Sequence, residues 1–191
     1  MRRSGVLMPV SSIPSRYGIG TFSRQAYDFI NLLEQAGQTY WQMLPLGPTG
    51  YGDSPYQSFS TFAGNPYYID LEALIEKGWL TEEECDQYDF GDNEEYIDYE
   101  KIYLSRFKAL RTAYGNSRIG EQEDFQRFCR ENAYWLDDYA LYMAVKNSFG
   151  GKSWSEWDDD IRLRRPEAMK RCREKFADEI GFYQFQQYLF A

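Results

Sequence analysis

Two short runs of β-forming residues, both close to the N-terminus, limit what this chain can fold into. The first, over 6–10, is apolar and meets Pro9. The second is Thr39-Tyr40-Trp41-Gln42-Met43-Leu44, and it stops at Pro45. Between them Phe22, Ala26, Phe29, Ile30 and Leu33 recur at helical spacing. Thr21 or Ser23 is placed as a cap, and Gly37 lies just past the end. Strand, helix, strand over about 40 residues is a βαβ unit with a right-handed crossover. Two parallel strands do not make a stable sheet alone. The remaining sequence offers no comparable run. The expected class is therefore α/β, mostly helical, with about two parallel strands: the front part of a larger α/β barrel.

The rest reads as helix. Thr81-Glu82-Glu83-Glu84 has the form of a capping box, with Leu80 and Cys85 placed for a hydrophobic staple. Asp98 caps a helix with an expected buried stripe of Tyr99, Ile102, Tyr103, Phe107, Leu110 and Tyr114. Phe125, Phe128, Trp135, Leu136, Tyr139 and Met143 form another stripe, ended by Gly150-Gly151. Pro166 suits a first helical turn, and the pattern of Met169, Cys172, Phe176, Ile180 and Tyr183 continues to the terminus. The expected division is 1–66, a βαβ unit with a long loop, and 67–191, a helical insertion.

Residues 45–66 follow no period. A loop this long inside a compact domain is functional or disordered. Tyr51, Tyr56, Phe59 and Phe62 are residues that disordered segments lack, so an ordered, site-forming loop is expected. Gly50 and Gly52 permit unusual backbone angles, and Asp53 and Ser54 are compact hydrogen-bonding groups. Pro55 stiffens the turn, Tyr56 offers a flat stacking face and Gln57 an amide. That inventory suits a polyhydroxylated ring, and equally a turn that packs its tyrosines inward. Asp53 also suits an Asx-type turn.

Charge and composition remove several function classes. Lys+Arg 21 against Asp+Glu 30 leaves a net charge of −9, which argues against nucleic acid or an anionic membrane as partner. The chain has no His, so no Ser–His or Cys–His nucleophile pair and no His-ligated zinc is available. No apolar run approaches the roughly 20 residues of a membrane span, and the apolar stretch after Arg2 and Arg3 is too short for a signal peptide. Cys85, Cys129 and Cys172 are odd in number and far apart, as expected of reduced thiols in the cytoplasm. Aromatic residues reach 18%, which suits either carbohydrate handling or a helical core built with large side chains. The acidic clusters Asp137-Asp138 and Asp158-Asp159-Asp160 adjoin helical sequence and read as solvated faces or caps. Trp154 and Trp157 read as core anchors, with an exposed sugar platform as the alternative.

The stretch from Tyr40 through Pro45-Leu46-Gly47-Pro48-Thr49-Gly50-Tyr51-Gly52-Asp53-Ser54-Pro55-Tyr56-Gln57-Ser58 resembles the signature of the amylomaltases, the 4-α-glucanotransferases. The resemblance extends through Phe62-Ala63-Gly64-Asn65-Pro66-Tyr67. Pro14 and Tyr17-Gly18-Ile19-Gly20 support it upstream, and Trp135-Leu136-Asp137-Asp138-Tyr139-Ala140-Leu141 downstream. It implies a (β/α)₈ barrel with helical insertions, of which this chain is the N-terminal part. It implies transfer of α-1,4-glucan segments to acceptor sugars by a retaining double displacement between two carboxylic acids. It implies no metal or organic cofactor. By resemblance Tyr56 stacks beside the sugar at the cleavage point, Ser54 lines the same subsite, and Asp53 and Gln57 are their neighbours. Tyr51 and Tyr103 correspond to a second glucan groove found in some members.

The family's catalytic carboxylates lie on later barrel strands, and nothing here matches their motifs. A full barrel takes about 250 residues before insertions. The chain alone is therefore expected to transfer no glucan; the expected partners are a maltooligosaccharide or other α-1,4-glucan, and the missing C-terminal part or a second copy. The alternatives are a non-catalytic glucan-binding module and a self-associating helical interaction protein.

Overall fold

The structure is a computed structural model that describes residues 2–93 and 95–191; Met1 and Glu94 lie outside the described residues. Strand β1 (Gly5–Leu7) and strand β2 (Tyr40–Gln42) pair in parallel, with Val6 opposite Trp41. Both are shorter than their β-forming runs. Backbone bonds from Met8 to Gln42 and from Thr39 to Ser4 extend the ladder at either end. Beyond Met8, Pro9 has no N–H to donate, and Val10–Ser12 turns into a short 3₁₀ helix. Helix α1 (Arg24–Gln35) supplies the crossover. Its Phe29 meets Trp41 edge to face at 5.1 Å, and the Trp41 indole N–H donates to the Met8 carbonyl at 2.8 Å. This βαβ arrangement is the one its periodicity predicts.

Further helices follow: α2 (Leu71–Glu76), α3 (Glu82–Asp86), α4 (Tyr99–Ser117), α5 (Glu123–Ser148), α6 (Asp159–Arg162), α7 (Pro166–Lys175) and α8 (Ala177–Phe190). No helix among the described residues is long and apolar enough to cross a membrane. The capping box at α3 forms as its pattern requires: the Thr81 hydroxyl accepts from the Glu84 N–H at 3.2 Å, and Glu84 returns an acceptor to the Thr81 N–H at 2.9 Å. Leu80 and Cys85 are both buried beside it. Asp98 caps α4 by accepting from the Lys101 N–H.

The chain divides into two compact units, 1–117 with Phe190, and 118–189 with Ala191. The division expected after residue 66 falls inside the first unit. The segment after 66 packs on α4: α2 lies against it, and the fully buried Arg106 guanidinium donates to the Ile69 carbonyl. Burial pushes that guanidinium down to about 10. Leu71, Leu74, Ile102 and Leu110 are buried in this unit, each stabilising it by about 1.5–3 kcal/mol over exposure.

The α4 stripe needs one correction. Its buried line runs through Ile102, Arg106, Ala109, Leu110 and Ala113. Tyr103 sits about 100° further round the helix and is 58% exposed.

In the second unit Leu141 and Val145 of α5 pack with Trp157, Ala168, Met169 and Cys172. Trp157 stacks on Phe149 at 5.6 Å, whereas Trp154 is 54% exposed, so only one of the two tryptophans is a core anchor. Pro166 opens α7 as expected. The terminal helical pattern breaks at Phe176, whose φ of −109° and ψ of 24° separate α7 from α8.

Candidate functional site

The loop after β2 is closed and internally bonded. At its base the Asn65 N–H donates to the Leu46 carbonyl at 2.8 Å. Asn65 then caps the 3₁₀ turn Pro66–Tyr68 by accepting from the Tyr67 N–H at 3.0 Å. Higher up, the two arms of the loop touch at Gly47. A Cβ there would lie 2.3 Å from Ser58 Oγ, so only glycine lets them approach so closely. Two tight turns form the tip, from Gly50 to Asp53 and from Ser54 to Gln57, each closed by a backbone bond of 3.0–3.1 Å. Gly52, at φ +91°, supplies the positive angle that the third position of a type II turn demands.

This folding turns the aromatic rings outward. Tyr51 is fully exposed and Tyr56 is 73% exposed. Gln57 is exposed, and Ser54 and Pro55 are half-buried beside Tyr56. The loop thus presents a flat ring, an amide and a hydroxyl together, as a sugar-binding surface requires.

Asp53 behaves differently from its neighbours. It is half-buried at φ +50°, and its carboxylate accepts from Thr49 Oγ1 at 3.2 Å. The Tyr67 phenol feels the charge of the same carboxylate. Burial pushes the Asp53 carboxyl up, and the two hydroxyls draw it back. Tyr67 is itself buried, which holds its phenol well above the usual tyrosine range, with the Asp53 charge adding to the effect. Its ring lies 6.2 Å from Tyr99 and 6.0 Å from Phe107, and Phe107 meets Tyr103 edge to face at 5.3 Å. Reading the sequence did not single out Gly47, Thr49 or Tyr67 as supports. Their partners lie four to forty positions away, and no local pattern couples them.

Other charged groups are engaged elsewhere. Arg164 pairs with Asp138 at 2.6 Å, Arg162 with Asp159 at 2.8 Å and Arg171 with Asp160 at 2.7 Å. The Arg171 bond holds the Asp160 carboxyl below its usual range. A shallow cavity between Tyr17, Cys85, Phe90 and Lys101 contains none of the six candidate residues, and its cations already pair with Glu82, Asp86 and Asp89. Among the described residues no group of three or more His, Cys, Asp or Glu is arranged to hold a metal ion.

Known proteins match the chain along nearly its whole length. The family model described as 4-alpha-glucanotransferase matches residues 8–191. The 4-alpha-glucanotransferase of Clostridium butyricum is 49% identical, over 96% of this chain and 38% of that protein. That of Thermus thermophilus is 44% identical, over 99% of this chain and 38% of that protein. The solved amylomaltase from Streptococcus agalactiae in complex with acarbose superposes with a TM-score of 0.91 at 39% identity, over 100% of this chain and 39% of that one. The chain thus spans about 38% of the length of the curated relatives it matches. The fold is a portion of the amylomaltase barrel, mostly helical with two parallel strands. By the family model and by these relatives, the chain belongs to the 4-alpha-glucanotransferase family.

Proposed function

We propose that this chain forms part of the glucan-binding wall of an enzyme that moves α-1,4-glucan segments between sugars. The observation that carries the reading is Tyr56: a 73% exposed ring on a closed, hydrogen-bonded loop, with Ser54 and Gln57 beside it. The ring stacks on the C–H face of a glucose unit, while the serine hydroxyl and the amide take its hydroxyls. Tyr51 and Tyr103, both exposed, supply a second glucan contact. The relative solved with acarbose supports a carbohydrate ligand.

The reaction is a retaining double displacement. A carboxylate forms a glycosyl-enzyme, a second carboxylic acid protonates the departing oxygen, and an acceptor hydroxyl discharges the intermediate. Asp138, Asp159 and Asp160 are bound to arginines, so we assign neither role to them. Both carboxylates come from barrel sequence outside these 191 residues, a reading supported by the 38% coverage of the relatives. Leu7 and Tyr40, exposed on the two-stranded sheet, are the surface for pairing with those strands, or with a second copy in their absence. The unpaired thiols of Cys85, Cys129 and Cys172 suit a cytoplasmic setting.

Calorimetric titration with maltoheptaose tests the binding. The expected result is millimolar-or-better affinity that Tyr56→Ala abolishes. No heat with the parent chain, or undiminished binding by Tyr56→Ala, overturns the reading. Incubated with maltotriose, the chain alone is expected to release no glucose.

A further inference from the structure

We propose that Phe190 is a positioning residue for glucan binding: its ring lies against the bare Cα of Gly64 and braces the returning arm of the loop that carries Tyr56. The inference rests on the glucan-binding reading above and gives the loop a support that the reading does not use. Phe190 belongs to the first unit, as the loop does.

The contact explains the residue type at 64. A Cβ on Gly64 would lie 2.1 Å from Cδ1 of Phe190 and 2.3 Å from its Cε1 and Cγ, so no side chain shares that space with the ring. Gly64 does not stand at a positive φ, so the glycine answers to the ring and not to the backbone. Phe22 meets the same ring edge to face at 6.0 Å. Phe22 is itself held on the segment after the loop: its ring meets Tyr68 at 6.2 Å, and its N–H donates to the Tyr68 carbonyl at 3.2 Å.

From Gly64 the bonds run both ways along the loop. On one side the Asn65 N–H closes the neck on the Leu46 carbonyl. On the other, the Ala63 N–H donates to Ser60 Oγ at 3.0 Å, and Ser58 Oγ donates to the Ser60 carbonyl at 2.9 Å. Ser58 is the residue that Gly47 admits, and it directly follows the Ser54–Gln57 turn that holds Tyr56. A loop ordered before the ligand arrives loses less entropy on binding. Removing the Phe190 ring takes no contact from the sugar, yet Tyr56 is no longer preset and affinity falls.

The test uses Gly64→Ala, Phe190→Ala, Phe190→Leu and the Gly64→Ala/Phe190→Ala pair. Amide exchange over residues 50–58 is measured first, without ligand. Gly64→Ala and Phe190→Ala are each expected to speed it at least about fivefold, with α4 unchanged as the folding control. The double variant is expected to exchange no faster than Phe190→Ala, because the added methyl no longer meets a ring. Phe190→Leu keeps an apolar group against Gly64 and restores most of the protection. Maltoheptaose affinity is expected to fall about fivefold in each single alanine variant and to stay within about twofold of the parent in Phe190→Leu.

Unchanged exchange over 50–58 in Phe190→Ala, additive effects in the double variant, a Phe190→Leu loop as loose as the alanine, or exchange that quickens equally in α4 overturns the brace. Faster loop exchange with parental maltoheptaose affinity overturns the positioning role and leaves Phe190 a packing residue. A parent chain that does not bind maltoheptaose overturns the glucan reading, and the positioning role with it, whatever the exchange shows.

Discussion

The N–H of Asn65 donates to the Leu46 carbonyl at 2.8 Å, tying together two residues nineteen positions apart. The loop between them is thus a closed surface element, with its backbone bonded across the neck and its rings outside.

The neck depends on Gly47. A Cβ there would meet Ser58 Oγ at 2.3 Å and Ser58 Cβ at 2.9 Å. Gly47→Ala is expected to destabilise the first unit by about 1 kcal/mol through overpacking. Adding Ser58→Gly should recover most of the lost Tm. A single variant with parental Tm would show that the arms do not touch.

The strand pair depends on Gly5 in the same manner, against a harder neighbour. A Cβ at Gly5 would stand 2.5 Å from the Tyr40 carbonyl oxygen, which is backbone and has no rotamer to change. Gly5→Ala is expected to cost about 1–3 kcal/mol in urea unfolding.

The two tryptophans of the second unit should separate by experiment. Trp157 lies in the core with Leu141, Val145 and Met169, and its indole N–H reaches the Lys152 carbonyl. Trp157→Ala is expected to cost about 3–5 kcal/mol. Trp154 is 54% exposed, and its alanine variant should stay within about 0.5 kcal/mol of the parent.

Asp70 caps α2, its side chain accepting from the Glu72 N–H at 3.1 Å. Burial holds its carboxyl above the ordinary value of 3.8, against the pull of that N–H and of Arg106. The folded chain therefore binds this proton more tightly than the unfolded chain does. The resulting stabilisation is fully present below pH 3.8 and is lost as pH rises through the folded-state value. Asp70→Asn keeps the cap without the charge. It should match or exceed the parent at neutral pH, with its advantage shrinking as the pH falls. Asp70→Ala should lose about 1 kcal/mol of capping at neutral pH. Unfolding curves from acid to neutral pH check both.

Legibility in the sequence followed the distance over which each feature is decided. The capping box at Thr81, the Asp98 cap, the Pro166 start and the α1 crossover rest on groups within a turn of one another. Their residue types carried the outcome. The ordered loop was legible too, because residues 45–66 carry four aromatic residues of a kind that disordered segments lack.

Residue types and short spacings alone determined the helices, their caps, the parallel strand pair and the family signature around Tyr51 and Tyr56. Tertiary packing decided the rest. It turned Tyr103 to solvent, sorted Trp157 from Trp154, and joined residues 67–117 to the first unit through α4. Hydrogen bonds inside one turn are written locally, whereas burial is a property of surfaces that meet only after the chain has folded.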